Sequence, residues 1–491
     1  MAEGNVRLLE LLSGIKPVKA YGITDIEITG VAYDSRKVEP GNLFFCITGL
    51  KVDGHAYAKA ALDRGAIAIV VERYLPEVDL PQIVVDNSRK SMAHIASAYY
   101  GHPTRKIKLI GITGTNGKTT TAFMVEKIMR FAGYKTGLLG TIECRIGDEV
   151  LPVDRTTPES ADLQYLFARM AESGVKAAVM EVSSHAIDLM RVEACEFDVV
   201  VYTNLSQDHL DYHGTMEEYF SVKKRIFDDT ADCGVSHIIN IDDEFGRRLE
   251  VHGGVNQIRY SVKEKVELNA AEIELRSDGS KFVLETREKA VPVTLKLPGV
   301  YNVSNALAAA GAASALGVDL ETVRNGLEEL DRVPGRFERV DCGQDYDIIV
   351  DYAHTPDSLE KILKAAKELT SGRLIAVFGC GGDRDRGKRS LMGRVAVELS
   401  DYVVVTSDNP RSEDPHRIID DILEGIKGVN GASFKVVADR RKAIERAILE
   451  AEKGDFIVIA GKGHETGQEI AGRKTPFDDV LMVKEFLGEI G

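Results

Sequence analysis

The sequence contains no tryptophan, no Cys-x-x-Cys pair and no apolar run near the ~18 residues that a membrane span needs. Each absence closes a class of function. The six cysteines (Cys46, Cys144, Cys195, Cys233, Cys342 and Cys380) are scattered. A paired-thiol metal or redox motif is excluded, and reduced, mostly core thiols are expected. No transmembrane helix is expected, and the acid-bearing opening MAEGNVRLLELL has no secretory-signal pattern. Positive charge is also short. A net charge of −15 argues against a nucleic-acid binder that works through overall charge, although local basic pockets stay open. Repeats and low-complexity tracts are missing. What remains is a globular composition whose 491 residues suit about three domains. A cytoplasmic monomer without nucleic-acid or membrane partners is expected.

The stretch that organises the chain is KLIGITGTNGKTTTAFMVEKIM, residues 108 to 129. An apolar run enters a glycine-punctuated turn, and a helix-periodic segment follows. The strict G-x-x-x-x-G-K pattern fails, because Ile112 stands where it needs glycine. The shorter Gly114-Thr115-Asn116-Gly117-Lys118-Thr119, followed by Thr120, still supplies what a phosphate requires. Backbone N–H groups and a helix N-terminus favour an anion, Lys118 adds a point charge, and the Thr119 hydroxyl can hold Mg²⁺.

Residues 1 to 105 read as a small α/β domain, with two short strands around the turn Glu39-Pro40-Gly41-Asn42 and a buried strand from Ala66 to Val71. Asp34-Ser35-Arg36 is either a capped turn or a phosphate contact. Residues 106 to 333 place strand candidates at 108–113, 136–139, 177–182, 198–203 and 236–241, separated by helical stretches. That alternation predicts a parallel sheet, with ligands beyond the carboxyl ends of its strands. Those ends carry Glu181-Val182-Ser183-Ser184-His185 and Asp208, His209, Asp211 and His213. Glu181 and His209, taken with Thr119, are metal-ligand candidates; a hydrogen-bonded histidine is the plainer alternative. Thr156-Thr157-Pro158-Glu159-Ser160 fits helix capping or hydroxyl donors to an anion. Residues 256 to 298 read as an antiparallel excursion, and Asn302 and Asn305 open an Ala-rich helix.

Residues 334 to 491 place strands at 347–351, 373–378, 401–406 and 455–460, a second, Rossmann-like α/β sheet. Its strand ends carry Asp351 to Pro356, Gly381 to Arg386, Asp408-Asn409-Pro410-Arg411 and Gly461 to Glu465. The bunched glycines of GCGGDRDRGK lack dinucleotide-fingerprint spacing, so anion recognition or a solvated basic loop is expected there.

Taken together, these motifs resemble the Mur ligases, the ATP-dependent amide-forming enzymes of bacterial cell-wall precursor synthesis. The resemblance spans nearly the whole chain: DSR with EPGNLFF, GTNGKTTT, TTPES, EVSSH, TNLSQDHLDYHG with EYFSVK, GVYNVSNALAA, PGRFE, DYAHTPDSL, GGDRDRGKR, DNPR and GKGHE. It implies three domains (1–105 for the UDP-sugar, 106–333 for ATP, 334–491 for the amino acid). It also implies an acyl phosphate on the D-glutamate side chain of UDP-N-acetylmuramoyl-L-alanyl-D-glutamate, captured by the amine of a third residue. ATP and Mg²⁺ are the implied cofactors. Lys118, Glu181, His209 and Lys223 become the catalytic set, and Thr119, Glu181, His209 and Lys223 the Mg²⁺ set. Lys223, four residues after Tyr219, stands at the family's carbamylated lysine. Asn302, Arg336, Asp351 and His354 join Gly114 to Thr120 around ATP. Ser35, Thr156, Thr157, Ser183 and Arg191 resemble the UDP-muramoyl-dipeptide contacts, while Leu189 replaces a glutamine the family often has. Arg384, Asp408, Asn409, Pro410, Arg411, Gly461 and Glu465 resemble a meso-diaminopimelate pocket. DNPR favours that amino acid over lysine, since Arg411 can pair a far-end carboxylate that lysine lacks. A lysine-adding ligase, a folylpolyglutamate synthetase-like ligase and a non-catalytic nucleotide-binding module are the alternatives.

Overall fold

The computed structural model describes residues 6–49, 52–153, 155–231, 233–249, 256–276 and 278–490. The first five residues, on which part of the N-terminal signal reading rests, lie outside them.

Three larger sheets succeed one another along the chain. The first has five strands in the order Lys19–Tyr21, Gln82–Val84, Ala68–Val71, Asn42–Phe45, Gly30–Ala32. The strands flanking the Glu39–Asn42 turn, Gly30–Ala32 and Asn42–Phe45, run parallel. Their link is a 3₁₀ turn over Ser35–Lys37, because Asp34 caps it by accepting from the Arg36 N–H.

The central sheet has eleven strands. Lys108–Thr113 lies in its middle, parallel to Ala177–Glu181 on one side and Val199–Tyr202 on the other. Thr136–Leu139 lies beyond the former, and Ser236–Asn240 and Asn256–Ser261 beyond the latter. Strand order therefore reverses beside Lys108–Thr113, and ligands of open α/β sheets collect at such a switch point. Side chains alternate along it. Leu109 joins Ala178, Met180 and Val200 in one buried layer, whereas Ile110 and Ile112 join Val179, Val199 and Val201 in the other. Both faces are covered, which is why these strands read as unbroken apolar runs. The stretch from 256 to 298 differs from its expected form. Asn256–Ser261 extends the parallel sheet, and Leu268–Arg276, Gly279–Thr286 and Ala290–Leu295 continue it antiparallel. An outer edge with one wet face allows the alternating burial of Ala290–Leu295.

The third sheet has six strands in the order Glu338–Arg339, Asp347–Asp351, Phe456–Ala460, Leu374–Phe378, Tyr402–Val405, Phe434–Val436. All pairs after the first are parallel. The loop 333–338 connects it to the central sheet. No helix of the described residues is long and apolar enough to cross a membrane.

Candidate active site

The phosphate loop is shaped by two glycines. Gly114 and Gly117 both take positive φ, 150° and 86°. A Cβ at Gly114 would lie 1.9 Å from the Thr203 Oγ1, and one at Gly117 would lie 2.4 Å from the Asn305 Oδ1. Only glycine permits this close curve, which delivers the chain into the helix Lys118–Phe131. The Lys118 ammonium turns back into the curve, donating to the Gly114 and Thr115 carbonyls at 2.8 Å each. Burial and nearby Arg336 lower its pKa, against the pull of Glu181 and Asp208.

Beyond the loop opens a cavity of about 470 Å³. Thr115 to Thr120 line it, with Glu181, His209, Asn302, Arg336, Asp351 and His354. The central and C-terminal sheets share it. Arg336 Nη2 donates to Thr119 Oγ1 at 3.2 Å, and Asn116 Nδ2 donates to Asp357 Oδ2 at 2.7 Å. Asp351 holds the entry to the third sheet by accepting from the Phe337 and Ala353 N–H groups at 2.7 and 2.8 Å. Burial raises its pKa, opposed by Arg336 and those two bonds. His354 is kept neutral, its pKa pushed down to about 4 by burial and Lys388.

Thr119 and Glu181 meet directly, the hydroxyl donating to Oε2 at 3.0 Å. Thr141 donates to the same carboxylate through its N–H at 2.8 Å and its hydroxyl at 3.0 Å. Among the described residues no three His, Cys, Asp or Glu side chains converge on a metal position. The oxygen donors at hand are a hydroxyl and a carboxylate beside the phosphate loop. That is the hard donor set Mg²⁺ prefers alongside phosphate oxygens, so the residues fit the ion. His209 stands on the same cavity wall, in left-handed backbone with φ 54°, its pKa lowered to about 4 by burial. Lys223 lies below the loop. Its Nζ donates to the Gly114 carbonyl at 3.0 Å and sits 4.9 Å from the Tyr219 ring centroid. Burial, reinforced by Lys118, holds its pKa well below the ordinary lysine value. Lys224 instead faces solvent and pairs with Asp228.

The substrate-side residues fall in two groups. Thr156 and Ser183 line the nucleotide cavity, and Thr156 shares a 3.1 Å hydroxyl contact with Thr141. Thr157 is buried behind them, donating to the Glu181 carbonyl at 2.9 Å. Arg191 donates to the Thr157 carbonyl at 2.9 Å and pairs with Glu159 at 3.0 Å. Arg89 and Arg155 reach the same carboxylate at 2.9 Å each. Arg89 comes from the N-terminal unit, so Glu159 ties that unit to the central one. Ser35 lines neither of the two cavities described here, and the neighbouring Arg36 guanidinium is held by Asp34 at 2.7 Å. That bond, opposed by burial, lowers the Asp34 pKa to about 2.

A second cavity, about 690 Å³, opens in the C-terminal unit. Asn409, Arg411 and Glu465 line it, and Thr141 is common to both cavities. Arg411, with φ 53°, donates from Nη1 to the Gly382 carbonyl at 2.7 Å and has Glu469 3.9 Å away. Lys462 is fully enclosed beneath and gathers Glu465 at 2.9 Å, Asn409 at 3.3 Å and the Gly467 carbonyl at 2.6 Å. Burial works to raise the Glu465 pKa, but Lys462 and Asn409 hold it below the usual value. Asp408 and Gly461 lie behind the wall, and burial raises the Asp408 pKa. The structure does not bring Arg384 into this cavity. The side chain is exposed and donates to the Asp383 carbonyl at 3.0 Å.

Sequence reasoning passed over Thr141, Asp357, Lys462 and the Arg89–Glu159 contact. Thr141 was findable, because it follows the strand Thr136–Leu139 and strand ends were the stated place to look. Asp357 and the Arg89–Glu159 contact depend on packing between distant segments, whereas Lys462 stands within the Gly461 to Glu465 motif, three residues before the Glu465 it bonds.

The fold and the paired cavities define a phosphate-loop enzyme that joins a nucleotide site to a second substrate site. Three family descriptions match the chain in order: Mur ligase family, catalytic domain, over 27–100; Mur ligase middle domain over 112–313; and Mur ligase, glutamate ligase domain, over 335–463. The chain belongs to the Mur ligase family. It is 46% identical, over 99% of both chains, to the UDP-N-acetylmuramoyl-L-alanyl-D-glutamate–2,6-diaminopimelate ligase of Caldanaerobacter subterraneus. It is 48% identical to that of Bacillus cereus over 94% of each. A solved structure titled as the same ligase is 32% identical and covers 99% of both chains with a TM-score of 0.70.

Proposed function

We propose that the chain forms the amide between meso-diaminopimelate and the D-glutamate side-chain carboxylate of UDP-N-acetylmuramoyl-L-alanyl-D-glutamate, using ATP. The observation that carries this reading is the meeting of the two cavities at Thr141. A phosphorylated carboxylate on the loop side is then within reach of an amine on the other.

The loop N–H groups, the helix N-terminus and Lys118 hold the phosphates in line with the acceptor carboxylate. Thr119 and Glu181 would hold Mg²⁺, and His209 would serve a second ion. When bound, the ion supplies neutralising charge for the transferred phosphoryl group. Arg336 adds a guanidinium from the C-terminal unit at the same point. The transfer leaves an acyl phosphate, the amine attacks its carbonyl carbon, and phosphate departs from the tetrahedral intermediate. No enzyme nucleophile is required, so positioning and charge carry the rate.

Lys223 is the residue to carry a carbamate. An ammonium there would face Lys118, and burial favours the neutral amine, the form that can add CO₂. Thr156, Thr157, Ser183 and Arg191 hold the muramoyl dipeptide, and Ser35 its uridine diphosphate. Asn409, Arg411 and Glu465 receive the diamino acid, with Asp408, Pro410 and Gly461 shaping the turn beneath. Arg384 takes part only if its loop swings inward. The three units are 1–105, 106–333 and 334–491, in a cytoplasmic monomer.

Phosphate release measures this reading. It should require ATP, the muramoyl dipeptide and the diamino acid together. Hydrolysis of ATP indifferent to both acceptors would reject it.

A further inference from the structure

His464 stands where the two cavities meet. It follows the strand Phe456–Ala460 in the turn Gly461 to Glu465. That turn is wedged against the linker, since a Cβ on Gly335 would lie 2.1 Å from the His464 nitrogen. The ring lines the amino-acid cavity beside Glu465 and approaches the Thr141 backbone. Its centroid is 5.2 Å from that of Tyr352. The Tyr352 ring in turn carries the Arg336 guanidinium 4.5 Å from its centroid, and Arg336 bonds Thr119. A continuous chain of contacts thus joins the phosphate loop to this imidazole.

Its Nδ1 is enclosed and has no hydrogen-bond partner. Nε2 is therefore the ring nitrogen that a molecule in the cavity can reach. Burial, Arg336 and Lys462 lower its pKa to about 4, against Glu465 and the Thr141 backbone. A neutral imidazole accepts at one nitrogen only, and Nε2 is that acceptor in the tautomer that carries its proton on Nδ1. Neighbouring acceptors are engaged: Glu465 holds Lys462 and Asn409, and Glu338 holds Arg332 and the Gly335 N–H.

We propose that His464 is a positioning residue for the attacking amine: Nε2 accepts one N–H of the diamino acid and turns the nitrogen lone pair toward the acyl carbon at the Thr141 junction. The inference rests on the ligase reading above, and it adds a group that acts on the second half-reaction only.

The test compares His464→Phe, which keeps a ring against Tyr352 but no acceptor, with His464→Gln, which restores an acceptor at about the same reach. Each is assayed with ATP, Mg²⁺ and the muramoyl dipeptide, once with meso-diaminopimelate and once with hydroxylamine. Hydroxylamine traps the acyl phosphate as a hydroxamate without using the cavity. His464→Phe should lose about 100-fold in amide formation while hydroxamate formation stays within about twofold. His464→Gln should recover most of the amide rate. Equal loss of both products, or an unchanged amide rate in His464→Phe, overturns the proposal. If either variant does not fold, the other decides alone: Phe by selective loss, Gln by keeping both products near the wild-type rates. A wild-type chain that makes neither product rejects the ligase reading itself, and this role with it.

Discussion

Arg336 Nη2 lies 3.2 Å from Thr119 Oγ1, so a residue of the linker to the third sheet touches the hydroxyl that also donates to Glu181. One hydroxyl thereby connects the Glu181 carboxylate, the phosphate loop and the linker to the unit that carries most of the second cavity. Under the proposed function, seating that unit on the loop and assembling the phosphoryl site would be one event.

The Asn116–Asp357 bond, 2.7 Å long, is a second contact between the same two units. Asp357→Ala removes it without touching the acyl or amine sites. kcat/KM for ATP should fall about tenfold, and small-angle scattering with nucleotide should report a larger radius than wild type. Unchanged kinetics and radius would mean that the contact contributes nothing to closure.

Glu181→Gln keeps the shape and one oxygen to accept from the Thr141 N–H, but it loses the charge and turns the oxygen that faces the Thr119 and Thr141 hydroxyls into a donor. Phosphate release should drop by about 100-fold or more, whereas nucleotide binding without Mg²⁺ should be retained. A variant with near-normal turnover at ordinary Mg²⁺ would remove Glu181 from the metal site.

Arg411→Ala should reduce kcat/KM for meso-diaminopimelate about 100-fold and leave ATP binding near wild type. Parallel losses of both would assign Arg411 to the fold of its turn and not to the substrate.

His237 offers a stability test remote from the cavities. It is buried against Thr230 at 2.8 Å, and burial lowers its pKa from 6.5 to about 4. Above pH 6.5 the ring is neutral in both folded and unfolded chains. As pH falls below that, the unfolded chain binds a proton that the folded one refuses, so stability declines until about pH 4. His237→Gln should flatten the decline by roughly 3 kcal/mol between those limits, read from urea unfolding. Identical slopes in the two proteins would show that His237 titrates normally when folded.

Much of the fold was legible because the relevant strands are buried on both faces. Lys108–Thr113, Thr136–Leu139 and Asp347–Asp351 fall where the apolar runs place them, and several others are trimmed by a residue at their ends. The strand directions of the first sheet were harder. Gly30–Ala32 and Asn42–Phe45 look like neighbours around a turn, and only the capped 3₁₀ segment between them lets them run parallel. In the site, residues within a motif were legible, as Thr119 and Glu181 show. Contacts between motifs were not. Arg155 reaches Glu159 from four residues away, but Arg191 comes from a separate loop of the central unit and Arg89 from the N-terminal unit, and no local spacing encodes those two. Arg384 stands at a strand end of the same sheet as Arg411 yet its side chain is exposed and bonds the Asp383 carbonyl, since a place in the chain does not fix side-chain direction.

The central claim is that the cavity around Arg411 selects the amino acid while the loop from Gly114 to Thr119 supplies the energy. Its most direct measurement is phosphate release by the wild-type chain, with ATP and the muramoyl dipeptide held constant, compared between meso-diaminopimelate and L-lysine. Preference for meso-diaminopimelate by about 100-fold or more in kcat/KM is the predicted result. Equal use of the two, or preference for lysine, would contradict the account.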